Sequence, residues 1–229
     1  MNITRSALFE TLAGALIVAV SLYAAYVLFE PVMSDAQTQD QFTVSQTITG
    51  EVAFLVNATD VTMTPSLSGI TGGTSNGGTQ VRVYTNDTSG YNMTLRASSS
   101  LGLVGNTAGD NIPYATTSAG APTFTFSTAT VPPNTAAFAY TVEASSTLDL
   151  DPTFRDNGSA CATGSADAAD SCWLHASTTN EMIINRSTST PNSGSTTTLQ
   201  FRVVVQSNPS PVLDEDIYVA TTTLTATTN

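Results

Sequence analysis

Two cysteines, Cys161 and Cys172, bracket the phrase CATGSADAADSC. Thiolates can hold zinc, act as nucleophiles or join to one another. A tetrahedral zinc site takes four ligands, and no second thiol pair is present to complete one. Their spacing through small and acidic residues suits a disulfide, which implies an oxidising compartment; two unpaired thiols in an exposed loop are the alternative. The one histidine, His175, follows in CWLHAS. With no serine elbow, cysteine nucleophile or second histidine beside it, it reads as a loop residue packed near Trp173, not as a general base.

The other groups capable of chemistry are carboxylates. LDLDP (148–152) and LDEDI (213–217) concentrate Asp149, Asp151, Asp214, Glu215 and Asp216. Calcium takes several oxygen ligands from such loops, although the spacing is not that of an EF-hand. The plainer reading is a solvated acidic edge that keeps the surface soluble and discourages strand pairing. GGTSNGG runs into a strand-like segment without the Gly-Lys-Ser/Thr of a phosphate loop, and there is no lysine for a Schiff base or phosphate clamp. The expectation is a non-enzymatic protein with no cofactor, calcium being the sole candidate.

One carboxylate stands apart. Glu10 lies just before an apolar run from Leu12 to Phe29 that is interrupted only by Gly14 and Ser21. As a helix those 18 residues span about 27 Å, close to the hydrocarbon thickness of a bilayer. Pro31 should end the rod near residues 30–36. Arg5 precedes it and the next basic residue is Arg82, which places the N-terminus in the cytoplasm and the remainder outside. A cleaved signal ending at Ser34–Ala36, a permanent anchor and an assembling helix are all compatible with the run. A carboxylate beside apolar residues is costly without an interface or a positive partner, which favours assembly. The small residues Ala13, Gly14, Ala15, Ala19, Ser21, Ala24 and Ala25 allow helices to approach closely.

The string SALFETLAGALIVAV, with Glu10 fifth from Ser6, resembles the start of type IV pilins. In that family a glutamate at the fifth mature position pairs with the N-terminal amine of a neighbouring subunit while the apolar helices bundle. Here Arg5 stands where the family has glycine before its cleavage point, so the cation for Glu10 is either Arg5 or the Met1 amine of another copy. The resemblance implies that Leu12, Leu16, Val20, Tyr23 and Val27 meet the same residue types on neighbouring copies.

Beyond the rod, 18 acidic residues against 6 basic ones give a net charge of -12, and all the basic residues are arginine. Such a surface repels phosphate backbones, so nucleic acid is not an expected partner. Six N-x-S/T sequons, at Asn2, Asn57, Asn86, Asn92, Asn157 and Asn185, would permit N-glycosylation in a chain so rich in Thr and Ser. From residue 37 the pattern becomes period-two alternation with β-branched residues, predicting strands at 42–49, 51–56, 79–85, 91–98, 123–127, 136–144, 199–206 and 217–227. Breakers at 69–78, 86–90, 131–134 and 206–211 separate them. The predicted architecture is mainly β: an apolar N-terminal helix in residues 1–36, then an extracellular Ig-like, Greek-key β-sandwich in 37–229. The phrases at 64–100, 131–144 and 216–229 resemble bacterial WxL-type and pilus-associated surface modules, which implies placement at the cell surface.

Together these readings predict a structural subunit of a pilus-like filament, a helical homo-oligomer that sits in the membrane before assembly and displays its β domain. The alternative is a single-span, membrane-anchored adhesin or binding protein.

Overall fold

The computed structural model describes residues 5–29, 41–116 and 121–229. The chain divides into two units, Met1–Thr47 and Ile48–Asn229. Helix α1 (Arg5–Phe29) dominates the first. Its run of Ala, Leu and Val suits a helix, and Ser21 Oγ donates to the Ile17 carbonyl at 2.8 Å, so this polar group is satisfied within the helix. The break expected at Pro31 and the Ser34–Ala36 site lie outside the described residues.

The second unit is built from β1 (Val52–Val56), β2 (Gly73–Thr85), β3 (Tyr91–Ala97), β4 (Leu103–Gly105), β5 (Asn111–Ile112), β6 (Ala136–Ala144), a 3-10 turn (Pro152–Phe154), β7 (Glu181–Arg186), β8 (Ser195–Val205), β9 (Tyr218–Val219) and β10 (Thr222–Thr228). Every strand pair is antiparallel. The order is β1-β2-β8-β6 in one sheet, β10-β3-β7 in a second and β5-β4-β9 in a small third.

Alternation places Val81 and Val83 of β2, Phe138, Tyr140 and Val142 of β6, and Leu199, Phe201 and Val203 of β8 on one inner face. Tyr91, Met93 and Leu95 of β3 with Ile183 and Ile184 of β7 complete the same apolar cluster from the other sheet. The domain is therefore mainly β, with two sheets closed on a shared core, as the alternation predicts. A second cluster lies on the back of β6 and β8, where Ala137, Ala139 and Val204 meet Phe126 and Trp173. This burial on both faces explains why AAFAYTV reads as almost continuously apolar.

Five local expectations are corrected. TFTFS (123–127) is not a strand: Thr123 exchanges two 2.8 Å backbone hydrogen bonds with Trp173, and a turn at 127–131 then ends the pairing. GGTSNGG is not a connection but the first half of β2. A Cβ at Gly77 would lie 2.6 Å from Val61 Cγ1, so glycine marks a close crossing here. EMIINR, not expected as a strand, is β7; a register shift opposite Met93/Thr94 buries Ile183 and Ile184 side by side and erases the alternation. Segment 217–227 divides because β9 pairs with β4 and β10 with β3, in different sheets. Segment 42–49, expected as a strand, has no secondary structure.

Candidate functional site

Helix α1 carries the first group of candidate residues. Its stretch Phe9–Phe29 has mean hydropathy 2.2, long and apolar enough to cross a membrane. At about 100° per residue, Leu12, Leu16, Val20, Tyr23 and Val27 fall within an arc of roughly 80°. They form one bulky seam, and all five are exposed. Glu10 does not share it: its position lies about 120° from the middle of that arc. It falls instead on a side where the small residues Ala13, Gly14, Ser21 and Ala24 are mixed with the bulky, exposed Ile17 and Leu28. The rod thus carries one bulky seam and, away from it, a single carboxylate on a side of mixed residue size. Positions 5 and 10 lie about 140° apart around the axis, so within one helix they are not neighbours. The Arg5 side chain and the Met1 amine lie outside the described residues.

Cys161 and Cys172 are joined, with Cα atoms 5.5 Å apart. The loop they close is organised by Asp156, which is fully buried. Its Oδ1 accepts from Gly158 N–H at 2.7 Å and its Oδ2 from Ala168 N–H at 2.8 Å, while its backbone pairs with Ala166. Asp167 accepts from Ala144 N–H at 3.1 Å; burial raises its pKa, a shift opposed by that N–H. Asp170 pairs with Arg202, and its carbonyl accepts from Trp173 Nε1 at 3.1 Å. Nothing in FRDNGS distinguishes Asp156 from an ordinary turn aspartate, so sequence reasoning missed it. His175 is half-buried two residues beyond Trp173.

The acidic phrases are engaged within the chain. Asp149 is buried and ion-paired with Arg186. Asp151 caps the 3-10 turn by accepting from Thr153 N–H at 2.9 Å. Asp216 Oδ2 accepts from Thr107 and Ala108 N–H at 2.6 and 2.9 Å, and these donors, Ala108 first, hold its carboxyl below the ordinary range. Asp214 contributes backbone: its N–H donates to Asp110 Oδ2 at 3.0 Å, and its carbonyl lies 2.9 Å from the Tyr218 hydroxyl. Tyr218 Oη is also 2.6 Å from Asp110 Oδ2, and burial together with that carboxylate raises its pKa. Among the described residues no three His, Cys, Asp or Glu side chains converge as a metal site. The two phrases are drawn apart, one to β7 and the other to β4 and β9.

A cleft of about 1580 Å³ opens into the sandwich between loop 57–70 and the run 213–224. Phe54, Met63, Leu199, Phe201, Leu213 and Leu224 line it, with Asp60, Asp214 and Glu215 along its border. No sequence signal announced this opening, since each lining residue reads as ordinary core.

Compared with family models, curated proteins and solved structures, the chain finds no match.

Proposed function

We propose that this chain is the structural subunit of an extracellular, pilus-like filament, held together by bundled copies of α1 and displaying the β-sandwich on its outside. The observation that carries the reading is the lone carboxylate of α1: a rod apolar around its whole circumference bears Glu10 within its span-length stretch, with Ala13, Gly14, Ser21 and Ala24 nearby to let another helix approach. A lone carboxylate at that position is costly in an apolar bundle and becomes favourable when a cation from a neighbouring copy meets it. The disulfide fits an oxidising exterior, and the acidic, hydroxyl-rich sandwich fits a water-facing coat. The membrane is the store from which subunits are drawn, as the span-length of Phe9–Phe29 allows.

A second reading, a single-span anchored binding protein, draws on the same hydropathy. Electron microscopy of material sheared from cells expressing the chain separates the two. Filaments that carry this chain are expected; its recovery solely as a detergent-soluble membrane monomer would favour the anchor.

A further inference from the structure

Segment 41–50 has the composition of a strand and the structure of none. It contains no charged residue and no proline, so every residue can donate an N–H. Phe42, Val44 and Ile48, with the uncharged Gln46 among them on the same side, alternate with Thr43, Ser45 and Thr47, and the three apolar side chains are 83%, 83% and 82% exposed. Alternation of this kind has one physical use, a sheet with an apolar face on one side and water on the other.

The sandwich offers the complementary vacancy. Strand β10 ends its sheet: it pairs with β3 on one side and makes no ladder on the other among the described residues, although β1 of the facing sheet packs close to it. Its Leu224 and Ala226 point inward and are half-buried, while Thr223, Thr225 and Thr227 are exposed. Beside its first three residues, Thr222–Leu224, lies the cleft. The seven residues 42–48 match Thr222–Thr228 in number, and each run extends roughly 23 Å as a strand. The hydroxyl faces match as well, and on the other side Phe42, Val44 and Ile48 answer Leu224 and Ala226, with Gln46 the one polar side chain. Acidic Asp60, Asp214 and Glu215 on the cleft border would repel most of this chain's surface, but not a segment without charge.

We infer that residues 42–48 of one copy insert as an additional strand along the free edge of β10 in a second copy, with Phe42, Val44 and Ile48 entering its cleft. The occupant is a second copy because filling the chain's own cleft requires a reversal at 49–51. There Asn86 holds the main chain on both sides of Gly50: its Nδ2 donates to the Thr49 carbonyl at 3.2 Å, and its Oδ1 accepts from Glu51 N–H at 2.7 Å. Main-chain hydrogen bonds supply the joint and the alternating side chains fix its register, as in β-strand addition generally. The contact deepens the filament reading by linking neighbouring sandwiches, yet its test does not depend on filaments.

Two differently tagged full-length chains are co-expressed, one Val44→Cys and the other Ala220→Cys or Leu224→Cys, both of the latter positions lining the cleft. Oxidation is expected to give a reducible mixed dimer, roughly tenfold or more over Val44→Cys paired with Ala129→Cys, as pre-positioning raises effective concentration. Dimer at or below that control for both cleft positions overturns the proposal. So does a Val44→Cys/Leu224→Cys chain, diluted in wild type, that closes on itself as a monomer. Hydrogen exchange on the unmodified assembled chain is the independent readout: amides 43–47 should be protected, and free exchange overturns the inference. Cross-linking in detergent without filaments would sink the filament reading alone; filaments without cross-linking would sink strand insertion alone.

Discussion

The Arg202 guanidinium lies over the Trp173 indole, 4.3 Å from the ring centroid. The same group donates to Asn76 Oδ1 at 2.6 Å and to the Phe126 carbonyl at 2.8 Å, so one planar fork ties β2, β8 and segment 121–126 around a buried ring. Its ion pair with Asp170 adds little, because that carboxylate is half exposed. Arg202→Lys keeps the charge and loses the fork and the stacking. The expected cost is about 1–3 kcal/mol in denaturant unfolding of the full chain; a change under about 0.5 kcal/mol would show that the arrangement does not stabilise the fold.

Asp156 carries a different load. Replacing it with Ala leaves without their acceptor the N–H groups of Gly158, just before the disulfide loop, and Ala168, within it. A loss of about 1–3 kcal/mol is expected, since two partly buried donors lose a charged acceptor. Limited proteolysis should then cut between 161 and 172, where the Cys161–Cys172 bond holds the fragments together until reduction. Resistance equal to wild type would contradict this role for Asp156.

The Asp216 carboxylate gives an acid-dependent signature. Its folded pKa lies below the ordinary 3.8, because Ala108 and Thr107 donate N–H groups to the ionised form. A depressed carboxyl stabilises the fold above its unfolded pKa, and that contribution is lost as pH falls through the folded value. The difference in melting temperature between wild type and Asp216→Ala should therefore hold steady near neutrality and shrink below about pH 4. A gap that widens on acidification would reverse the assignment.

Glu10→Gln isolates the helix. The sandwich has its own core, so unfolding of the β domain should match wild type. Assembly should fall sharply, since the amide cannot attract a neighbour's cation and still has to be buried. Normal filament yield from this variant would remove Glu10 from the assembly mechanism.

How far the sequence foretold this structure depended on which force wrote each pattern. Strands β3 and β8 were legible because one face of each meets the core and the period survives along most of their length, and β6 because burial on both faces makes it a short apolar run. Strand β7 was not, because a register irregularity set Ile183 beside Ile184. The glycines of β2 carried two meanings that a single sequence does not separate, turn and close crossing, and Val61 packed against Gly77 decides for the second. Cys161 and Cys172 found each other as expected, whereas Asp149 and Asp151 were drawn to Arg186 and Thr153, parting them from Asp214 and Asp216. The cleft and Asp156 left no local trace, since both arise from segments distant in the chain.

The long-range register of the sheets also fixes when this domain can acquire its shape. Gly73 of β2 pairs with Val205 of β8, and Tyr91 of β3 pairs with Thr228, the last residue but one. Such pairings close large loops and form slowly. A ribosome releasing the chain from its first residue therefore delivers α1 long before either sheet can be completed, and the β region waits as an open polymer until its final strand emerges. Net negative charge and hydroxyl-rich strands keep that waiting chain soluble, and a truncation that removes Thr222–Thr228 would leave β3 with an unpaired edge.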